Sequence, residues 1–315
     1  MTPRSATKEP RLPVGRYRLI FRAETIEKRE GFWGSAWRGV LGHALKRLVC
    51  VTQLEACEPC LLYRSCVYPY FFVTPPPPES HKLKNYSAAP HPFVLVPHVP
   101  DDEGHCVLGV TLFGWGNRYL AYLVHALRQA AARGLKGRTG PMTLEGVEQE
   151  AAPGSGQWQS ILQGEILSPV ATPAPPFPPC PRWVRIRLVT PLRLRLHDDL
   201  VTPESFQFHF FFVSLLRRIS LLTYFHTEQP LETDFRGIAG RARQVPAESA
   251  VLAWKDWTRY SSRQRTKMQL GGLTGSFEVS LEGREEFWPY LWLGQWTHAG
   301  KGTSMGLGRY EIDTL

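Results

Sequence analysis

Hydrophobic and polar positions in the first half of the chain follow two kinds of pattern. Some stretches alternate residue by residue, as a half-buried strand does, and others repeat at helical spacing. The predicted order is strand, helix, strand, strand, helix, strand, over residues 16–23, 34–49, 93–96, 107–113, 117–134 and 142–147. Asn117 is predicted to cap the second of these helices and Gly134 to end it.

The second half of the chain repeats this order. Its stretches are residues 183–196, 205–225, 251–260, 275–281, 285–296 and 306–312. A strand, helix, strand, strand, helix, strand order is that of the ferredoxin-like fold. We therefore predict an α+β protein built from tandem ferredoxin-like (RRM-like) βαββαβ domains.

A stretch rich in Pro, Gly, Ser and Gln separates the two halves. This composition favours an extended connection over a packed element. The predicted organisation is an N-terminal domain over 1–150, with a cysteine- and proline-rich insertion at 50–92. A linker over 151–181 follows, and then a C-terminal domain over 182–315.

Composition adds positive charge to this picture. The chain of 315 residues has 37 Lys and Arg against 28 Asp and Glu, and 12% of its residues are aromatic. This combination favours binding to a polyanion whose bases can stack on aromatic rings. Polar and charged residues interrupt the apolar stretch 208–222, and no apolar signal segment stands at the N-terminus. We expect a soluble, cytoplasmic protein with no membrane partner.

Residues 298–312, HAGKGTSMGLGRYEI, contain four glycines among cations and hydroxyls. A glycine-rich loop can bring backbone amides close to an oxyanion such as phosphate. The spacing differs from GxxxxGK[ST] and GxGxxG, so a mononucleotide site is disfavoured. The residues predicted to bind RNA in this loop are Gly300, Lys301, Gly302, Thr303, Ser304, Gly306, Gly308 and Arg309. The alternative is that the glycines only form a tight turn.

A basic strip precedes this loop. Its cations are interleaved with Trp254, Trp257 and Tyr260, and they are Lys255, Arg259, Arg263, Arg265 and Lys267. Cations at this density neutralise phosphates, and aromatic faces accept unstacked bases, so we predict an RNA-binding strip. A solvated surface, with the tryptophans in the core, is the alternative.

Several motifs carry a family resemblance. WTRYSSRQRTKMQLGGLTG at 257–275 and the glycine-rich stretch after it resemble the C-terminal region of the sixth family of CRISPR-associated (Cas) proteins, endoribonucleases of the RAMP superfamily. GSAWRGVLGHALKRLVC (34–50), CEPCLLYRSCVY (57–68) and PHPFVLVP (90–97) resemble the N-terminal half of the same family.

The resemblance implies a fold and an activity. It implies two ferredoxin-like domains that bind CRISPR repeat RNA (pre-crRNA or crRNA), and it is compatible with other Cas proteins as partners. It also implies cleavage of precursor CRISPR RNA without a catalytic cofactor, which leaves a 2′,3′-cyclic phosphate and a 5′-hydroxyl.

Cleavage of this kind needs a general base, a general acid and a cation beside the phosphate. His43 stands beside the apolar stripe of the first helix, with Lys46 and Arg47 at i+3 and i+4. We predict His43 as the base, Lys46 as the charge stabiliser and Arg47 as an RNA contact. His298, directly before the glycines, is the second candidate for base or acid. Each histidine has a structural alternative, on a solvated helix face or at a helix C-terminus.

The chain contains a cysteine cluster with the spacing C-x6-C-x2-C-x5-C. Its members are Cys50, Cys57, Cys60 and Cys66. Because cytoplasmic proteins rarely hold disulfides, the cluster favours a structural Zn²⁺ held by four thiolates. An iron-sulfur cluster would use the same ligands, and free buried thiols are the remaining alternative.

Two other functions remain open at this level. A non-catalytic RNA-binding subunit of a CRISPR effector complex would share the folds, the strip and the glycine loop but would lack a positioned base. An unrelated zinc-stabilised nucleic-acid adaptor would instead use the cysteine insertion for recognition.

Overall fold

The computed structural model describes residues 9–27, 31–78, 80, 89–196, 199–256, 258–261 and 266–315, with the backbone alone described at 258–261 and 266–269. These residues form two compact units. The N-terminal unit comprises 12–175 with 225–227, and the C-terminal unit consists mainly of 176–224 and 228–315.

The N-terminal unit is built on an antiparallel sheet. Its elements are β1 (Val14–Ala23), α1 (Trp33–Val49), α2 (Val67–Phe72), β2 (Phe93–Pro97), β3 (His105–Phe113), α3 (Leu120–Ala131), β4 (Met142–Glu150), β5 (Trp158–Ser160), β6 (Leu162–Gln163) and β7 (Ile166–Leu167). The strand order is β2-β3-β1-β4-β5. The first four strands have the ferredoxin-like order, and α2 belongs to the insertion between α1 and β2.

Alternate residues of β1 contribute their side chains to the core of the N-terminal unit. Tyr17, Leu19 and Phe21 are buried on one face of the sheet, where they join the stripes of α1 and α3 in a single hydrophobic cluster. The ring of Trp37, fully buried on α1, lies 5.3 Å from that of Phe21. Burial of each such side chain contributes about 1.5–3 kcal/mol. The helix that carries His43 is therefore fixed firmly on the sheet.

The C-terminal unit is also built on an antiparallel sheet with the ferredoxin-like strand order. Its elements are β8 (Trp183–Leu192), β9 (Arg195–Leu196), β10 (Asp199–Leu200), α4 (Phe208–His226), α5 (Phe235–Ala242), β11 (Glu248–Lys255), β12 (Thr258–Ser261), β13 (Thr266–Gln269), β14 (Gly272–Ser280), α6 (Trp288–Thr297) and β15 (Tyr310–Thr314). The main sheet has the order β11-β14-β8-β15, and β12 and β13 form a separate hairpin. The tandem ferredoxin-like prediction is confirmed.

The apolar helix α4 is a core element of this unit. Its length and composition would suffice to cross a membrane, but more than half of it is buried in the protein. The ring of Phe211 lies 5.4 Å from that of Phe277 on β14 and 5.1 Å from that of Tyr310 on β15. Packing of α4 against the sheet therefore accounts for its hydrophobicity.

Several boundaries differ from the sequence predictions, and three of these differences have a clear structural cause. The range 251–260, predicted as one strand, is divided because β11 ends at Lys255 and β12 pairs with β13 instead. The range 151–181, predicted as a linker, contains β5, which extends the N-terminal sheet by pairing with β4. The last strand begins at Tyr310 and not at Gly306, because Gly306 and Gly308 adopt positive φ angles of 96° and 69°.

Asn117 does not cap α3 as predicted. It lies in a short 3-10 helix before α3, where its side chain accepts a hydrogen bond from the Tyr17 hydroxyl at 3.0 Å. The same side chain donates to the Gly114 carbonyl at 2.9 Å. Asn117 therefore ties the start of α3 to β1.

Candidate functional site

His43 is exposed on α1, next to the buried Ala44. Gly39 and Arg47, one turn before and one turn after it, are exposed as well. A Cβ atom added at Gly39 would meet no atom within 4 Å, so this face of the helix is open. An imidazole and a guanidinium therefore stand side by side where a large ligand can reach them.

The side chain of Lys46, predicted as the charge stabiliser, contacts the region between α1 and α2. Its Nζ donates a hydrogen bond to the Glu55 carbonyl oxygen at 2.9 Å and lies 5.8 Å from the centre of the Tyr68 ring. The side chain is half-buried, whereas Arg47 is exposed. These contacts argue against Lys46 as the main cation beside a phosphate and favour Arg47.

The glycines of the C-terminal loop permit close approach between backbone segments. Gly300, Gly302, Gly306 and Gly308 all have positive φ angles, between 69° and 96°. A Cβ atom at Gly300 would lie 2.3 Å from the Arg193 carbonyl oxygen. Much of the loop is therefore a tight turn, which was the alternative to a phosphate-binding loop.

Many backbone amides of this loop already donate hydrogen bonds within the protein. The amide of Gly300 donates to Ser214 Oγ at 3.0 Å, and that of Lys301 donates to the Arg193 carbonyl at 2.9 Å. Further bonds run from Ala299 to Gly308, Met305 to Gly302, Gly306 to Thr303, Leu307 to Gly302, Gly308 to Pro191 and Arg309 to Thr190 Oγ1. These amides do not form the open phosphate cradle that the sequence predicted.

The side chains of the loop differ in accessibility. Thr303 and Ser304 are buried, with 6% and 7% of their surface exposed. Arg309 forms an ion pair with Glu311 at 2.7 Å. Lys301 is exposed. Among the residues predicted in this loop, Lys301 thus has the charge and the accessibility that a phosphate contact needs.

His298 is enclosed by the same loop. It has 1% of its surface exposed, and its Nδ1 donates to the Leu307 carbonyl at 3.1 Å. Its φ of 59° is unusual for a residue with a side chain. Burial argues against the prediction that His298 acts as base or acid, and the hydrogen bond assigns it to holding the loop.

The basic strip divides between two elements. Lys255 is exposed at the end of β11. Arg259 and Lys267 lie on the hairpin β12–β13, where Tyr260 is paired with Lys267 in the backbone register. Arg263 and Arg265 lie outside the described residues.

Arg218 is a residue whose role the sequence did not indicate. Its Nε donates to the Thr297 carbonyl at 2.6 Å, at the end of α6 and directly before His298. Burial lowers the pKa of Arg218 to about 9. Two adjacent arginines in an apolar helix, Arg217 and Arg218, were the available signal.

Carboxylates neutralise most of the arginines on the open sheet faces. In the N-terminal unit Arg18 pairs with Glu148 at 2.6 Å and lies 3.9 Å from the centre of the Trp158 ring. The other pairs are Arg16 with Glu150, Arg22 with Glu145, Arg185 with Glu278, and Arg187 with Glu311. The positive charge of these arginines on the sheet faces is therefore offset by carboxylates.

The cysteines Cys50, Cys57, Cys60 and Cys66 are free and line one pocket. In the part of the chain that the structure describes, no group of three or more His, Cys, Asp or Glu side chains is arranged to hold a metal ion. The prediction of a Zn²⁺ or iron-sulfur site is therefore not supported by the side chains as they stand.

Two family models match the chain in succession. An N-terminal domain family, AF_1859_N, matches residues 12–173, and the family described as CRISPR-associated endoribonuclease Cas6 matches residues 186–310. Residues 186–310 therefore belong to the Cas6 family. The Cas6 match extends from β8 to the start of β15 and includes the glycine loop, so the resemblance predicted from the motifs is confirmed.

Solved Cas6 structures share the fold. The product complex of a Cas6 protein has a TM-score of 0.55 at 15% identity, and the Cas6 of Thermus thermophilus has 0.53 at 14%; each match covers 96% of this chain and 99% of the other. A partial Cas6-RT-Cas1–Cas2 complex gives 0.54 at 12% identity, over 96% of this chain and 46% of the other. No curated protein sequence matches this chain significantly.

Proposed function

We propose that this Cas6-family chain is an endoribonuclease that cleaves precursor CRISPR RNA within the repeat. The observation that carries the proposal is the match of residues 186–310 to the Cas6 endoribonuclease family. A net charge of +9 suits a nucleic-acid substrate. A solved relative of the same fold is a product complex, which is consistent with this activity.

The proposed reaction is an internal transesterification. His43 takes the proton of the 2′-hydroxyl beside the scissile phosphate, and the 2′ oxygen bonds to phosphorus. Arg47, with Lys46 behind it, stabilises the negative charge that develops on the phosphorane. The bond from phosphorus to the 5′ oxygen breaks, and that oxygen takes a proton from solvent water. The products are a 2′,3′-cyclic phosphate and a 5′-hydroxyl, and no metal ion takes part.

RNA binding in this proposal involves cations of the C-terminal unit. Lys301 on the glycine loop contacts a phosphate, while His298 and the buried Thr303 and Ser304 maintain the shape of the loop. Lys255 and the hairpin β12–β13, with Arg259 and Lys267, follow the backbone of the RNA. Arg263 and Arg265, which lie outside the described residues, are proposed to contact the RNA as well.

The partners follow from the substrate. CRISPR repeat RNA, as precursor or as retained product, is the primary partner, and the cytoplasm is the proposed compartment. One similar structure is a partial Cas6-RT-Cas1–Cas2 complex, which supports other Cas proteins as further partners. A structural metal at the cysteines would lie outside the reaction.

The experiment is cleavage of a labelled repeat RNA by the purified chain in EDTA. A matched RNA with a 2′-deoxy nucleotide at the cleavage position is the control. We expect cleavage of the first RNA to a cyclic phosphate and no cleavage of the second. Tight binding of both without cleavage would replace the proposal with a non-catalytic RNA-binding subunit.

A further inference from the structure

The segment between α1 and α2 combines exposed aliphatic side chains with half-buried cysteines. Residues 51–66 contain no helix or strand and no buried side chain. Val51, Leu54 and Leu61 are 76%, 44% and 87% exposed. The four cysteines of this region are half-buried and line a common pocket. Val51 and Leu54 border the same pocket, but no side chain of residues 51–66 is buried, so hydrophobic burial contributes little to holding this segment.

Backbone hydrogen bonds hold the four cysteines at three places, which are the end of α1, the turn between Cys57 and Cys60, and the start of α2. Cys50 extends the last turn of α1, because its amide donates to the Lys46 carbonyl at 2.9 Å. The Cys60 amide donates to the Cys57 carbonyl at 3.0 Å and closes a turn across the C-x2-C pair. Cys66 directly precedes α2, and its amide donates to the Leu62 carbonyl at 2.8 Å. The pocket is thus bordered by thiols from both helices and from the turn between them.

Charges around the pocket suit thiolates bound to a cation. A divalent ion with four thiolates carries a net charge of −2, which a neighbouring cation offsets. Lys46 lines the same pocket, so its ammonium group is the neighbouring cation. Thr52 Oγ1 lies 3.4 Å from Cys60 Sγ, within reach of a hydrogen bond to that sulfur. These groups would support the ligands without being ligands themselves.

We propose that Cys50, Cys57, Cys60 and Cys66 bind one Zn²⁺, which holds residues 51–66 against α1 and α2. Zinc–sulfur bonds of about 2.3 Å bring the sulfurs within about 3.8 Å of one another. As the described side chains stand, no three of them converge in this way. Binding therefore requires the thiols to rotate into the pocket, and the ion orders a segment that has no core of its own.

The test is the metal content of the full-length chain, purified without chelator and measured by elemental mass spectrometry. We expect about one zinc per chain and loss of at least ninety per cent of it in the double variant Cys57→Ser/Cys60→Ser. Cys180→Ser is the matched control, because Cys180 is also half-buried but does not line the pocket. That variant retains the zinc.

A second measurement keeps the proposal testable if the double variant fails to fold. In the native wild-type protein, the four pocket cysteines should resist a thiol reagent until a chelator removes the zinc. A mercurial should release about one zinc for every four pocket thiols that it binds, and a metallochromic dye measures the zinc released. Iron with visible absorbance would overturn the proposal in favour of an iron-sulfur cluster. A metal-free protein, with either disulfides or freely reactive pocket thiols, would overturn it as well.

Discussion

Gly308 and Ala299 lie in direct backbone contact across the glycine loop. The Ala299 amide donates to the Gly308 carbonyl at 3.0 Å, and a Cβ atom at Gly308 would lie 1.8 Å from the Ala299 carbonyl oxygen. The two ends of the loop therefore meet at a point where no side chain fits. The loop is a rigid backbone structure that presents Lys301 at its surface.

Gly308→Ala should destabilise the protein by about 3–5 kcal/mol, because the new methyl group forces the loop ends apart. Gly283→Ala is the matched control: Gly283 has a similar positive φ of 65°, but its Cβ would meet no atom within 4 Å. That variant should lose only about 1–2 kcal/mol from backbone strain. Urea unfolding of both variants measures the difference. Equal losses would mean that the close contact does not hold the loop.

His43→Ala should reduce the rate of repeat cleavage by about 10²–10⁴-fold, because the proposed general base is removed. RNA affinity should change by less than about threefold, since one exposed imidazole contributes little beside the many cations that contact phosphate. His125→Ala is the matched control, because His125 is likewise an exposed histidine on a helix of the N-terminal unit. Single-turnover cleavage and filter binding measure the two quantities. Full activity of His43→Ala would remove His43 from the proposed mechanism.

The alternating and helical patterns were sufficient to predict the duplicated fold. Strands such as β1 bury one face only, so Tyr17 and Leu19 already identify the core side from sequence. Short strands such as β5 were missed, because three residues within a Pro- and Gly-rich range contain too few positions to show a period. The family was predicted from the resemblance of the motifs, because periodicity indicates secondary structure and not family.

The candidate site could be predicted only in part. Exposure of His43 follows from its position beside a helical stripe. Burial of His298 does not follow from its sequence, because it depends on the Leu307 carbonyl that the folded loop brings to it. In the same way, the Lys301 amide is unavailable to phosphate because Arg193, more than a hundred positions earlier, accepts its hydrogen bond. Contacts between distant residues decide which groups of a loop remain accessible.

Lys301→Ala should weaken RNA binding to the same extent for different repeat sequences, because a lysine contacts phosphate and not a base edge. The slope of log affinity against log salt concentration should fall by about 0.7–0.9, as expected when one phosphate contact is lost. Lys136→Ala, at another exposed lysine, is the control and should leave the slope unchanged. An unchanged slope for Lys301→Ala as well would exclude this contact.

Tyr310 connects the stability of the C-terminal unit to high pH. Its hydroxyl is buried and donates to the Leu291 carbonyl at 2.6 Å, and burial raises the pKa of Tyr310 well above its usual range. Above about pH 10 the unfolded chain loses this proton while the folded chain keeps it, so the free energy of unfolding falls by about 1.4 kcal/mol per pH unit. Below that pH the contribution is fully present.

Tyr310→Phe should therefore be less stable than the wild type by about 1 kcal/mol at pH 8, because a buried hydrogen bond is lost. The difference should shrink and then reverse as the pH rises above about 10, since phenylalanine has no proton to lose in the unfolded chain. Urea unfolding between pH 8 and pH 11 measures both free energies. Tyr122→Phe is the control, because Tyr122 is 45% exposed, and its difference from the wild type should not depend on pH. A constant difference for Tyr310→Phe would show that the folded protein also releases this proton.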